Sequence, residues 1–98
     1  MRYPCVYILA SERHGTLYVG VTSNLVKRVW QHRNGEFGGF TKRYGVKHLV
    51  WFEMHATMEA AIHREKQTKK WDRAWKIELI ERDNRRWQDL YETIIEGA

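Results

Sequence analysis

The 98-residue chain predicts an α+β fold: a small three-stranded antiparallel sheet flanked by helices, in the order β-β-α-β-α-α, as one domain over residues 1–98. Two runs rich in Val, Ile, Leu and Tyr, 6–10 and 16–21, flank the polar turn SERHG and read as a hairpin. Later stretches carry apolar residues at helical spacing, and between them KHLVWFEMH is apolar on both faces, as a strand covered by helices should be. A hydrophobic fraction of 43% with one Pro supplies a core, and the length is too short for two.

Alternation in the second strand puts Leu17, Val19 and Val21 on an aliphatic face and Thr16, Tyr18 and Gly20 on the other. A turn pairing Ala10 with Gly15 would set Tyr7 directly across from Tyr18, and a one-residue slip would separate them. Gly20 on that face leaves room for a ligand or marks a bulge. TSNLVKRVWQHRNG reads as a helix with Thr22, Ser23 or Asn24 as N-cap and Gly35 as its stop. Its inner stripe is Leu25, Val26, Val29 and Trp30, with Arg28 and His32 one turn apart on the flank. GEFGGFTKRYGV is a loop or short helix. TMEAAIHREKQTKKW is a helix capped by Thr57, with Met58, Ala61, Ile62 and then Glu65 facing inward. DRAWKIELIERD continues as helix with a kink near Trp71 or Asp72. In NRRWQDLYETIIEG, the spacing of Trp87, Leu90, Tyr91 and Ile94 predicts a closing amphipathic helix.

Charge is concentrated. A formal +5 and a pI near 9.6 favour a polyanionic partner. From 27 to 47, Lys27, Arg28, Arg33, Lys42, Arg43 and Lys47 oppose Glu36 alone; a second basic run, 64–76, contains Lys69 and Lys70, and residues 77–98 are acidic. The single Cys5 excludes an internal disulfide and fits a reducing compartment. The first residues have too short an apolar run for a signal peptide or membrane span, so the expectation is a cytoplasmic protein away from membranes.

Glu65 stands where periodicity expects an apolar side chain. It is either paired with Lys69 at i+4 or a ligand for Mg²⁺, which takes one or two protein carboxylates and completes its shell with water and phosphate oxygens. Tyr7 and Tyr18 suit strand packing as well as chemistry, and Arg28 and His32 suit a solvated flank. Asn84 is a helix N-cap candidate before RRW. His14, His48, His55 and His63 show no metal-site spacing.

Taken in order, VY and then YVG eleven residues apart, Arg28 with His32 four later, an inward Glu and a late Asn resemble the GIY-YIG nuclease family. TLYVGVTSNLVKRVWQH, REKQTKKWDRAWKIELI and the late N..W.DLY carry the resemblance, most closely to its small stand-alone bacterial members, described as excinuclease-subunit-C-like. The resemblance implies a magnesium- or manganese-dependent DNA endonuclease, with a setting in DNA repair for the excinuclease-like relatives. It assigns catalysis to Tyr7, Tyr18, Arg28, His32 and Asn84, and metal binding to Glu65. Lys27, Arg33, Lys42, Arg43, Lys69 and Lys70 would hold the nucleic-acid backbone. The first motif here reads Cys5-Val6-Tyr7, Val19 replaces Ile in the second, and Val21 stands where excision-repair relatives often carry Lys. The alternative is a non-catalytic nucleic-acid-binding module that keeps the fold. RNA stays open beside DNA, and selectivity would come from DNA shape, a protein partner or a homodimer, or be low.

Overall fold

The computed structural model describes residues 3–36 and 38–96. The elements run β1 (Cys5–Ala10), β2 (Leu17–Thr22), α1 (Leu25–Arg33), α2 (Phe40–Arg43), β3 (His48–Met54), α3 (Met58–Lys70), α4 (Arg73–Asp83) and α5 (Tyr91–Glu96). The sheet order is β2-β1-β3, antiparallel throughout, so the first strand is the central one and all six of its residues are buried. Strand alternation divides the core in two. Val6, Ile8 and Ala10 pack with Ala61 of α3, Leu79 and Ile80 of α4, and Trp87. Cys5, Tyr7 and Leu9 pack with Leu25 and Val29 of α1, Leu49 of β3, and Ile94 of α5. Cys5 is completely buried in this second core, and burial pushes its thiol up to about 11, so it remains a packing residue.

The hairpin register differs from the expected one by two residues. Ala10 pairs with Leu17, because the Ser11 N–H bonds to the Thr16 carbonyl (3.0 Å) and the Ser11 hydroxyl accepts from the Thr16 N–H (2.9 Å), which lengthens the turn. An even shift keeps every side chain on its predicted face. Tyr7 therefore lies opposite Gly20, Tyr18 lies opposite Leu9, and the phenols are diagonal neighbours with ring centres 6.3 Å apart. Gly20 is neither ligand space nor bulge, because the ring of Tyr7 crosses it: a Cβ there would lie 2.4 Å from the Tyr7 Cζ and hydroxyl oxygen.

Asn24 caps α1, accepting from the Lys27 N–H at 3.2 Å. The buried stripe is Leu25, Val29 and His32, which turns Trp30 outward to 49% exposure and leaves Val26 half-buried. On α3, capped by Thr57, the inward residues are Ala61, Glu65 and Thr68, and Ile62 is exposed. The kink is a full break, in which Trp71 ends α3 and the Asp72 side chain caps α4 by accepting from the Trp75 N–H at 3.0 Å.

The closing amphipathic helix is reduced to α5. Trp87 belongs to the core on the α3–α4 side and Ile94 to the core on the α1 side, and one helical stripe cannot serve opposite faces of a sheet. The chain instead rounds the sheet, with Trp87 at φ +57°. Asp89 secures this crossing: its carboxylate accepts from the Leu49 N–H (3.2 Å) and the Tyr91 N–H (3.0 Å) and pairs with Arg33 of α1 and with His48 (3.3 Å).

Two stability outcomes follow from this packing. Gly20→Ala should lower unfolding free energy by about 1–3 kcal/mol in urea titration, because the new methyl and the Tyr7 ring claim the same space. Asp89→Ala should cost about 2 kcal/mol by leaving two part-buried N–H donors and Arg33 without their acceptor, read as a lower melting temperature with loss of α5 helicity.

Candidate active site

The site grows from Tyr7, whose position in the central strand leaves its side chain 1% exposed. A buried phenol needs a hydrogen-bond partner. His32, on the last turn of α1 and 3% exposed, supplies one: its Nε2 lies 3.0 Å from the Tyr7 hydroxyl. The other ring nitrogen, Nδ1, lies 3.2 Å from the hydroxyl of Thr41 on α2, which is 4% exposed. A continuous polar row thus runs through the core from β1 to α1 to α2. Half-buried Tyr18 stacks beside Tyr7 at an interplanar angle of 21° and meets the His32 ring edge-on with centres 5.2 Å apart.

The electrostatics converge on the same point. Burial, and then the Arg28 guanidinium, push His32 down to about 4, so its imidazole is neutral through the physiological range. Burial also raises the Tyr7 phenol well above its ordinary value; Tyr18 and Glu65 push it the same way and Arg28 opposes them. Arg28 and Glu65 therefore both act on the Tyr7 hydroxyl. Glu65 is almost fully buried and pairs with Lys69 Nζ at 2.8 Å, as the i+4 reading expected.

Several of the other expected site residues make internal contacts. Asn84 ends α4 rather than beginning a helix. Its amide donates to the carbonyls of Val50 (3.0 Å) and Gln88 (2.9 Å) and its oxygen accepts from the Gln88 N–H (3.0 Å), so the structure builds it into the turn leading to Trp87. Arg33, expected on nucleic acid, is held by Asp89 and lies 4.7 Å over the Tyr91 ring. Lys69 is tied to Glu65, whereas Lys27, Lys42, Arg43 and Lys70 are exposed. The partner missed in sequence is Thr41: in FTKR nothing local distinguishes it, and only the fold brings it to His32 nine residues away.

Among the described residues, no three His, Cys, Asp or Glu side chains gather to form a protein cage for a metal. A single carboxylate, Glu65, bearing with Arg28 on the Tyr7 phenol instead fits a hard cation that keeps most of its water and takes the rest of its shell from phosphate, with Lys69 giving up its pairing to Glu65. Glu65 is the residue of this cluster able to hold Mg²⁺ or Mn²⁺.

Residues 3–78, which include Tyr7, Tyr18, Arg28, His32 and Glu65, match the GIY-YIG catalytic domain. The chain belongs to the GIY-YIG family, whose catalytic domain is of the nuclease-type hydrolase class. Within it, the chain is 39% identical over 82 residues to a UPF0213 protein of Syntrophus aciditrophicus, covering 83% of this chain and 93% of the relative. It is 40% identical over 75 residues to a UPF0213 protein of Clostridium perfringens, covering 76% and 80%. The solution NMR structure of a UPF0213 protein from Bacillus halodurans aligns with a TM-score of 0.49 at 28% identity over 79% of this chain and 81% of that one.

His32 gives the site a pH signature. Its value lies below that of the unfolded chain, so between about 6.5 and about 4 the unfolded state binds the extra proton. The stability tied to its neutral form is complete above 6.5 and is lost as pH falls toward 4, by up to about 3 kcal/mol. Urea unfolding at pH 7.5 and pH 4.5 should show a larger fall for wild type than for His32→Asn; parallel falls would contradict a buried neutral imidazole.

Proposed function

We propose that the protein is a Mg²⁺- or Mn²⁺-dependent endonuclease that hydrolyses DNA phosphodiester bonds. The observation that carries this reading is the buried Tyr7 hydroxyl held 3.0 Å from His32, itself held by Thr41, inside residues that match a nuclease-type catalytic domain. In the tautomer that serves this reaction, one of the two that the row of hydroxyl partners accommodates, Nδ1–H donates to Thr41 and Nε2 accepts from Tyr7.

Burial makes a stable tyrosinate costly, so Tyr7 serves better as a relay than as a base. As a water attacks phosphorus, its proton passes to the Tyr7 oxygen while the Tyr7 proton moves to His32 Nε2; the new O–P bond forms, the bond to the leaving oxygen breaks with its electron pair going to that oxygen, which takes a proton from solvent, and His32 returns its own proton to solvent. Thr41 keeps the imidazole oriented for that transfer. Arg28 stabilises the charge that accumulates on the phosphate oxygens. Tyr18, half-buried beside Tyr7, orients the attacking water. A divalent ion held by Glu65 would supply further positive charge at the phosphate. Lys27, Lys42, Arg43 and Lys70 suit contact with the sugar–phosphate backbone, so affinity should fall with rising salt.

A plasmid-nicking assay with and without Mg²⁺ tests the reading. Wild type should cut only with the metal, and Glu65→Gln and Arg28→Ala should each lower the rate roughly 100-fold or more. Equal cutting in both conditions would remove the metal from the site. Tight DNA binding without cleavage by wild type would favour the non-catalytic binding module.

A further inference from the structure

The row of rings in the site does not end at Tyr18. Phe40, the first residue of α2, meets Tyr18 edge-on with centres 6.4 Å apart, and Tyr44 lies against Phe40 at 4.9 Å. The series Tyr7, Tyr18, Phe40, Tyr44 leads from a completely buried phenol to two rings that are 51% and 48% exposed. Adjoining exposed aromatic rings make a contiguous apolar surface of the kind that marks interaction sites. Both flank Thr41, the one buried residue of α2, whose contact with His32 fixes the helix to the catalytic row. The Arg43 guanidinium sits 5.6 Å over the Tyr44 ring, Lys42 and Arg43 are exposed, and the only carboxylate from residue 27 to 47 is Glu36.

Resting on the nuclease reading, we infer that Phe40 and Tyr44 form a stacking shelf for an unpaired nucleobase next to the scissile phosphate. The occupant follows from shape and charge. Exposed π-faces between cations suit an anionic chain carrying flat rings. In duplex DNA each base is stacked on its neighbours and offers only its edges, so ring faces of this kind engage bases out of the stack. Arg43 adds cation–π support to Tyr44 and a charge for the adjoining phosphate. The shelf therefore selects DNA that is single-stranded at the cut.

Fluorescence anisotropy in EDTA, which prevents cutting, separates this inference from the reading beneath it. The probes are a labelled single-stranded DNA oligonucleotide and the same strand annealed to its complement. Wild type should bind the single strand more tightly. Phe40→Ala and Tyr44→Ala should each weaken that binding roughly ten-fold and change duplex affinity by less than about two-fold, while Tyr44→Phe, which keeps the ring, should bind as wild type. Equal loss on both probes, no loss on either, or a wild-type preference for duplex overturns the shelf. If wild type nicks DNA but the alanine variants bind both probes unchanged, the shelf fails and the nuclease reading stands; if wild type neither binds nor cuts any DNA, both fail.

Discussion

A phenol hydroxyl buried in the central strand must be hydrogen-bonded, and the molecule is arranged around meeting that requirement. An unmet donor or acceptor there would cost about 1–3 kcal/mol. Tyr7 reaches its partner by extending across the neighbouring strand, which is sterically open because residue 20 is glycine. His32 must then arrive from α1 with its ring in the core, and Thr41 must meet the second ring nitrogen. Each member is satisfied by the next, so the same bonds that make the row chemically useful also hold β1, α1 and α2 together.

Electrostatic order follows from this packing. Beside a guanidinium and inside a core, imidazole keeps its neutral form, the form able to accept a proton. The same burial that prevents Tyr7 from ionising makes direct transfer through its hydroxyl more reasonable than a standing tyrosinate. Arg28 of α1 and Glu65 of α3, of opposite sign, both bear electrostatically on the Tyr7 hydroxyl. Outside this centre, Asp89 does comparable work for the architecture: one carboxylate bonds two backbone amides and Arg33, allowing the chain to pass from one face of the sheet to the other.

Much of the fold was legible in the sequence because its signals are local. Period-two alternation placed Tyr7 and Tyr18 on one face, and Asn24 and Thr57 begin α1 and α3 as their side chains allow. An inward Glu65 was visible as a break in a helical stripe, and its Lys69 partner as an i+4 spacing. The late segment misled for an equally physical reason. Trp87, Leu90, Tyr91 and Ile94 have helical spacing, yet the two ends of that stripe are buried in different cores.

Sequence by itself determined the three strands, α1, α3 and α4, the faces of the strands and the membership of Tyr7, Tyr18, Arg28, His32 and Glu65 in a recognisable order, since these depend on neighbours within a turn or on ordered spacing. Tertiary structure decided the rest: the two-residue register shift, the outward turn of Trp30, the use of Asn84 and Arg33 as internal ties, and the meeting of Thr41 with His32. Those outcomes depend on which distant groups share a buried volume and which polar atoms must find partners there, and a burial constraint of that kind is a property of the packed whole rather than of any stretch of chain.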